Sequence, residues 1–292
     1  MISKELIRKV RKIEIKTNRL VNDMLAGQYQ SVFKGRGMVF DEVRQYQPGD
    51  DIRLIDWNVT ARTNDVFVKL FVEERELTIM LMVDMSASTL FGTLRSSKRE
   101  LMAELSALLA FSAIKNNDRV GLIIFTDGIE KFVPPKKGRK HVLRVVTEIL
   151  NFEPASRGSS INEALKFLGH VSKRKSVAFL LSDFLSPDYE HDLKIASKRH
   201  DLIPVTIIDK REEELPPLGL INVRDLETGE IITVDINKQV ARSFNLKSKA
   251  RREVRESLFR KLKMDYVTLY TGKEYITSLM QFFRRRERRM RG

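Results

Sequence analysis

The residues best equipped for chemistry close an apolar run: Leu81-Met82-Val83-Asp84-Met85-Ser86-Ala87-Ser88. A carboxylate and two hydroxyls at two-residue spacing point the same way if the backbone stays extended, so Asp84, Ser86 and Ser88 converge. They are hard oxygen donors, suited to Mg²⁺ or Mn²⁺, which favour octahedral oxygen coordination and keep some waters. Neutral hydroxyls leave such a cation short of negative charge, so it seeks an anionic ligand from outside. That is a device for binding. Two later segments add donors. Arg157-Gly158-Ser159-Ser160-Ile161 carries the Ser159 hydroxyl in a loop before a helix, and Leu180-Leu181-Ser182-Asp183 ends a second apolar strand in a carboxylate. A D-x-S-x-S pattern arises by chance at roughly one in several thousand positions. The competing reading of the same residues is structural, with Ser86 and Ser88 in a turn and Asp183 capping the next helix.

Other candidates offer less. Gly35-Arg36-Gly37 has no Gly-Lys-Ser/Thr after it and opens no helix, and Lys273 after Gly272 is followed by Glu274, so neither is a P-loop. His141, His170, His191 and His200 are scattered without ligand spacing and read as surface residues. No nucleophile–histidine–acid arrangement is legible, so no enzymatic activity is expected. Asp127, before Gly128, reads as a hairpin turn residue. Asp50, Asp51, Arg53, Asp56 and Trp57 read as an internal salt-bridge network rather than a functional patch. The absence of cysteine excludes disulfides, iron–sulfur clusters and thiolate zinc sites, and fits a reducing compartment.

These donors need a scaffold to bring them together. Residues 4–25 place Leu6, Val10, Ile13, Leu20, Val21 and Met24 at three- and four-residue steps, an amphipathic helix that Gly27 would stop. Residues 31–76 hold turn chemistry at Pro48-Gly49-Asp50-Asp51 and the β-type run Val66–Val72, a small β-rich subdomain. From Leu77 strands and helices alternate. Strands are expected at 77–84, 120–125, 129–133, 177–181, 202–208 and 266–270. Helices are expected from the Ser97-x-x-Glu100 capping box to about 115, over 139–150, from Ser160 to His170, from Ser186-Pro187, over 240–262 and from 273 to about 289. The stretch between 209 and 239 reads as irregular. Such alternation predicts an α/β fold, a mostly parallel sheet flanked by helices. The expected organisation is therefore an N-terminal helix over 1–30, the β-rich subdomain over 31–76 and an α/β domain over 77–292.

The net charge of +14 is lopsided: +2 over residues 1–76, +1 over 77–239 and +11 over 240–292. The chain ends with six arginines in the eight positions 284–291. That end could grip nucleic acid, an anionic membrane surface or an acidic protein, or be a docked helix whose solvated face is basic. The neutral remainder, with no aromatic stacking platform, argues against nucleic acid as the main partner. The longest apolar run, Leu77–Val83 with Thr78 inside it, falls far short of the ~20 residues that span a bilayer. The opening Met-Ile-Ser-Lys-Glu is no secretory signal, so a cytoplasmic location is the expectation.

Asp84-x-Ser86-x-Ser88, Ser159 after a glycine and Asp183 after an apolar strand resemble the metal-ion-dependent adhesion site of von Willebrand factor A domains. The preceding region is more specific. Gly35-x-Gly37-x-x-Phe40, Arg44-x-Tyr46-x-Pro48-Gly49-Asp50-Asp51, Arg53-x-x-Asp56-Trp57, Ala61-Arg62 and Glu73-Glu74-Arg75-Glu76 resemble the bacterial family called domain of unknown function 58. The resemblance extends to Tyr270-Thr271-Gly272. It implies a von Willebrand factor A-like, Rossmann-like fold. It also implies association with a MoxR-type AAA+ ATPase, as an adaptor or co-chaperone acting on a client protein. Ser159 stands where the adhesion site usually has threonine; the hydroxyl is kept.

Overall fold

A computed structural model of the chain describes residues 38–63, 65–73, 76–93, 97–226 and 228–291, with Ile13, Glu14, Thr17, Tyr29 and Val32 before them. The chain divides into a small unit of residues 33–77 and a larger one of residues 1–32 and 78–292. Most of the amphipathic helix expected over 4–25, its stop at Gly27, and Gly35 and Gly37 lie outside the described residues. The described positions Ile13, Glu14, Thr17, Tyr29 and Val32 are helical.

In the small unit, β1 (Met38–Gln45) pairs antiparallel with β2 (Phe67–Glu73), with a bulge between Phe40 and Glu42. Between them lies the short helix α1 (Trp57–Thr63). The acid-and-arginine cluster resolves into two local devices. Arg44 grips Asp50 through bonds of 2.9 and 2.7 Å, and Asp50 also closes the Pro48-Gly49 turn by accepting the Gln47 N–H. Asp56 accepts the Asn58 and Val59 N–H groups that open α1, with Lys69 at 3.6 Å. Trp57 stands exposed.

The larger unit is built on a six-stranded sheet of order β10-β7-β6-β3-β4-β5. Its strands are β3 (Thr78–Asp84), β4 (Arg119–Phe125), β5 (Ile129–Lys136), β6 (Val177–Ser182), β7 (Asp201–Ile208) and β10 (Val267–Tyr270). All neighbours are parallel except β5, which returns antiparallel to β4 through the Asp127-Gly128 turn. The central strands are buried on both faces, which is why they read as continuous apolar runs rather than alternating ones. Helices α2 (Lys98–Lys115) and α3 (Arg139–Leu150) pack beside each other, and α4 (Ile161–Val171) packs beside α5 (Glu190–Arg199). Met80, Met82, Ile123 and Phe125 form one core with Ile161, Leu165, Leu168 and Leu193. The expected α/β class is what is found.

Three local expectations need correction. Helix α5 opens at Glu190, not at Ser186-Pro187, because Phe184 and Asp188 both take left-handed backbone (φ 57° and 55°) that keeps the segment irregular. The stretch between 209 and 239 is not wholly irregular. It holds the short helix α6 (Lys210–Glu213) and a separate hairpin of β8 (Gly219–Arg224) and β9 (Ile231–Ile236). The hairpin escapes a two-residue pattern because both faces carry exposed apolar side chains, Leu220, Val223, Ile231 and Ile232 among them. The third concerns the backbone after Asp84 and is taken up with the site.

Helix α7 (Lys238–Lys261) leads into β10, and α8 (Tyr275–Arg291) closes the chain. The arginine-rich end is partly internal. Arg286 is buried and bonds both Asp265 and Asp201, Arg289 bonds Asp265 at 2.6 Å, and Arg285 donates to the Tyr266 carbonyl. Leu279, Phe282 and Phe283 bury the other stripe of α8. Among the described residues no helix is long and apolar enough to cross a membrane.

Asp209 ties the strand ends together. Fully buried after β7, it accepts the Thr93 N–H and hydroxyl (2.9 and 2.7 Å), the Thr271 hydroxyl (2.6 Å) and the Arg211 N–H. Burial alone would raise its carboxyl, but these bonds hold it below the ordinary carboxylate value. Their stabilisation is therefore present above the unfolded-state pKa of about 3.9 and is lost as pH falls through the lower folded value. Asp209→Ala should cost about 2–4 kcal/mol in urea unfolding at pH 7. The gap from wild type should shrink as the pH is lowered toward 3; a gap that stays constant over that range would contradict this account.

Candidate functional site

β3 and β6 are adjacent, and the chain crosses from β3 to β4 on one side and to β6 on the other. The carboxyl ends of β3 and β6 therefore flank the point where the winding reverses, the place where open α/β sheets leave a crevice. Asp84 is the last residue of β3 and Asp183 directly follows β6, so both carboxylates lie at one end of the sheet.

Asp84 is wholly buried. Its Oδ1 accepts the Ser86 N–H at 2.9 Å, and its Oδ2 accepts the Ser159 hydroxyl at 2.8 Å and the Ser182 hydroxyl at 2.7 Å. Every one of those donors is neutral. Burial above all, and the nearby Asp183 charge, push the carboxyl above its ordinary range. A carboxylate so placed is held in shape but not compensated.

The Ser86 and Ser88 hydroxyls lie 3.1 Å apart. The expectation that the backbone stays extended through Ser88 is corrected: the chain leaves the strand after Asp84 and turns into a single 3-10 turn at Ala87–Leu90. That turn is pinned by Met85 N–H to Phe125 O, Ala87 N–H to Arg157 O and the Thr89 hydroxyl to Ser86 O. Ser86 and Ser88 are thus brought together by a curl rather than by pleat alternation.

Ser159 is delivered by the β4–β5 hairpin. The Ser160 N–H reaches the Thr126 carbonyl at 2.7 Å, the Ser156 hydroxyl reaches Asp127 at 2.5 Å, and the Ser156 N–H reaches Glu130. Asp127, read from the sequence as a turn residue, therefore also anchors the loop that carries Ser159. Ser160 caps α4 by accepting the Glu163 N–H.

Two residues at the site escaped the sequence reading. Ser182 precedes Asp183 on the same strand end, and because successive strand side chains alternate, its hydroxyl faces Asp84 while Asp183 turns elsewhere. Asp183 accepts the Leu185 N–H at 3.2 Å and the Lys98 ammonium at 2.8 Å, and caps no helix. Lys98 has no exposed surface, sits in the first turn of α2 where the helix dipole disfavours a cation, and also bonds Glu212 at 2.6 Å. Desolvation would strip its proton, but attraction by Asp183 and Glu212 raises its pKa and keeps it an ammonium. Nothing in the capping-box pattern marks this lysine as internal.

Three carboxylates, Asp84, Asp183 and Glu212, thus share one ammonium, with hydroxyls of Ser86, Ser88, Ser159 and Ser182 around the uncompensated one. The set fits a hard divalent cation: all donors are oxygen, and the surplus charge is negative. Among the described residues no three His, Cys, Asp or Glu side chains form a metal cluster of their own, so hydroxyls would have to complete the shell.

The family profile described as Protein of unknown function DUF58 matches residues 42–255. The chain belongs to the DUF58 family. Relatives of this DUF58 chain include the uncharacterized protein Rv1480 of Mycobacterium tuberculosis, 29% identical over 282 residues, covering 96% of this chain and 89% of that one. The uncharacterized protein YeaD of Bacillus subtilis is 26% identical over 173 residues, 59% of this chain and 40% of that one. Similar solved structures include the conserved hypothetical protein BatB from Bacteroides thetaiotaomicron, with TM-score 0.47, 16% identity, and coverage of 73% of this chain and 99% of that one. The SpRpn10 VWA domain gives TM-score 0.39 at 13% identity, covering 70% and 93%. At these scores the likeness carries no argument about the site, which stands on its own residues.

Removing the ammonium from this DUF58 site leaves two acids facing each other across low-dielectric space. Lys98→Met should cost about 3–5 kcal/mol in urea unfolding with chelator present, the usual penalty for orphaning one side of a buried ion pair. A loss below about 1 kcal/mol would mean that the lysine is dispensable to the fold.

Proposed function

We propose that the chain is a metal-dependent protein-interaction module. Asp84, Ser86 and Ser88 hold Mg²⁺ or Mn²⁺, with Ser159 and Asp183 completing the donor set, and a carboxylate of a partner protein fills the remaining position. The cation's contribution is electrostatic: it lets one buried carboxylate and one incoming carboxylate share a positive centre. The chain's own residues do the positioning. Ser159 and Ser182 hold the Asp84 carboxylate in one orientation, while the 3-10 turn presents Ser86 and Ser88. No step of catalysis is assigned, because the site offers no group poised as a nucleophile or general base.

One observation carries this reading: a fully buried Asp84 that accepts three hydrogen bonds, all from neutral donors. Burying a charge in this way is costly unless a counter-ion joins it. The partner proposed is a MoxR-type AAA+ ATPase, with the chain as adaptor or co-chaperone toward a client protein, as membership of the DUF58 family suggests. A nucleic-acid or anionic-membrane role for residues 240–292 is the weaker reading, since Arg285, Arg286 and Arg289 make internal bonds.

Calorimetric titration with MgCl₂ and MnCl₂ tests the metal step on wild type and Asp84→Asn, which keeps the shape and drops the charge. Wild type should take up one cation per chain and gain about 2.7 kcal/mol of stability at 100 times Kd. Asp84→Asn should show neither effect. Equal responses from the two proteins would count against the site. Capture of the ATPase should likewise require Mg²⁺ and vanish in chelator; capture that survives chelator would remove the metal from the interaction.

A further inference from the structure

Beside the candidate metal site, and sharing Asp183 with it, lies a cavity of about 210 Å³ between α6, α7 and the ends of β6 and β7. Its wall carries Arg255, in the middle of the long helix α7. Arg255 is only 8% exposed, yet its Nε and Nη2 have no hydrogen-bond partner. The neighbouring cations differ. Arg252 is committed to Glu256 at 2.9 Å and Glu213 at 3.6 Å, and Lys98 is committed to Asp183 and Glu212. A desolvated guanidinium with two unmet donors is expensive to keep and is usually retained for something that binds it.

The same wall holds a second unmet group. Glu213 accepts the Tyr270 hydroxyl at 2.9 Å through Oε2, but its buried Oε1 has no partner. The cavity therefore offers two donors on Arg255 and one acceptor on Glu213. A small multivalent anion would satisfy the first and be repelled by the second. An acidic residue in a peptide satisfies both, with its carboxylate on the guanidinium fork and a backbone N–H for Glu213.

The geometry points to this cavity as a docking pocket for the side-chain carboxylate of an acidic residue on a protein partner, received by Arg255. The inference needs no metal and stands or falls separately from the Asp84 site. Leu185 and Phe244 give the pocket apolar sides that would pack against the stem of the incoming side chain.

The test uses the full chain in chelator at fixed ionic strength, with two probes: N-acetyl-aspartyl-N-methylamide and inorganic phosphate. Wild type should melt higher as the aspartyl probe is raised into the tens of millimolar, and the Arg255 Nε–H resonance should shift with it. Phosphate should do neither. Arg255→Met should melt about 2–4 °C above wild type in plain buffer, because the unpaired charge is gone, and should lose the response to the probe. If Arg255→Met melts lower or fails to fold, the guanidinium is a structural group and the proposal is overturned. A response equal in wild type and variant, or no response in wild type, overturns it as well. An equal response to phosphate would make the pocket a general small-anion site and overturn the assignment to a protein partner.

Discussion

A carboxylate buried without a counter-charge is the constraint around which this end of the molecule is arranged. Asp84 ends the central strand of a parallel sheet, where solvent is excluded by helices on both faces. Its two oxygens are occupied by one backbone N–H and two hydroxyls, which orient the charge without neutralising it. The 3-10 turn after β3, the hairpin that holds the Ser159 loop and the end of β6 all converge on that one side chain. A fold that only needed to be stable would gain by placing an apolar residue or an asparagine there.

A second layer supports the first. Lys98 is the one cation bonded to Asp183 and Glu212, and Glu212 in turn accepts the Asp209 N–H in the capping box of α6. Asp209 reaches Thr93 on one side and Thr271 on the other, so the loop after β3 and the ends of β7 and β10 are held through one buried carboxylate. The charges alternate outward from the site: acid, ammonium, acid, then neutral donors. Such chains transmit displacement, because moving any member leaves another unsatisfied. A partner that engages Asp183 or the Arg255 pocket would be felt at Asp84 through the same bonds.

Much of this was legible in the sequence, and the gaps have physical causes. The strands were readable because burial on both faces makes them unbroken apolar runs, and α2 because Ser97 and Glu100 form a capping box that the structure contains. The donors Asp84, Ser86, Ser88, Ser159 and Asp183 could be nominated because strand ends and loop hydroxyls are local features, and folding does bring Asp84 and Asp183 to the same end of the sheet. Lys98 was not legible. A lysine in the first turn of a helix normally points to water, and only the distant acids at 183 and 212 explain its burial. Ser182 was available in principle, since alternation along β6 sets it opposite to Asp183. The Asp209 network joins residues 93, 209 and 271, a separation that no local pattern reveals. The β8–β9 hairpin was missed because its apolar side chains are exposed on a two-stranded ribbon, which removes the alternation that marks a half-buried strand.

The most direct measurement is a crystal structure grown in MnCl₂, with anomalous scattering recorded at a wavelength that reveals manganese. The account predicts a single strong peak beside Asp84 and the Ser86 and Ser88 hydroxyls. Clear density for those side chains with no anomalous peak among them, at a manganese concentration well above millimolar, would contradict it.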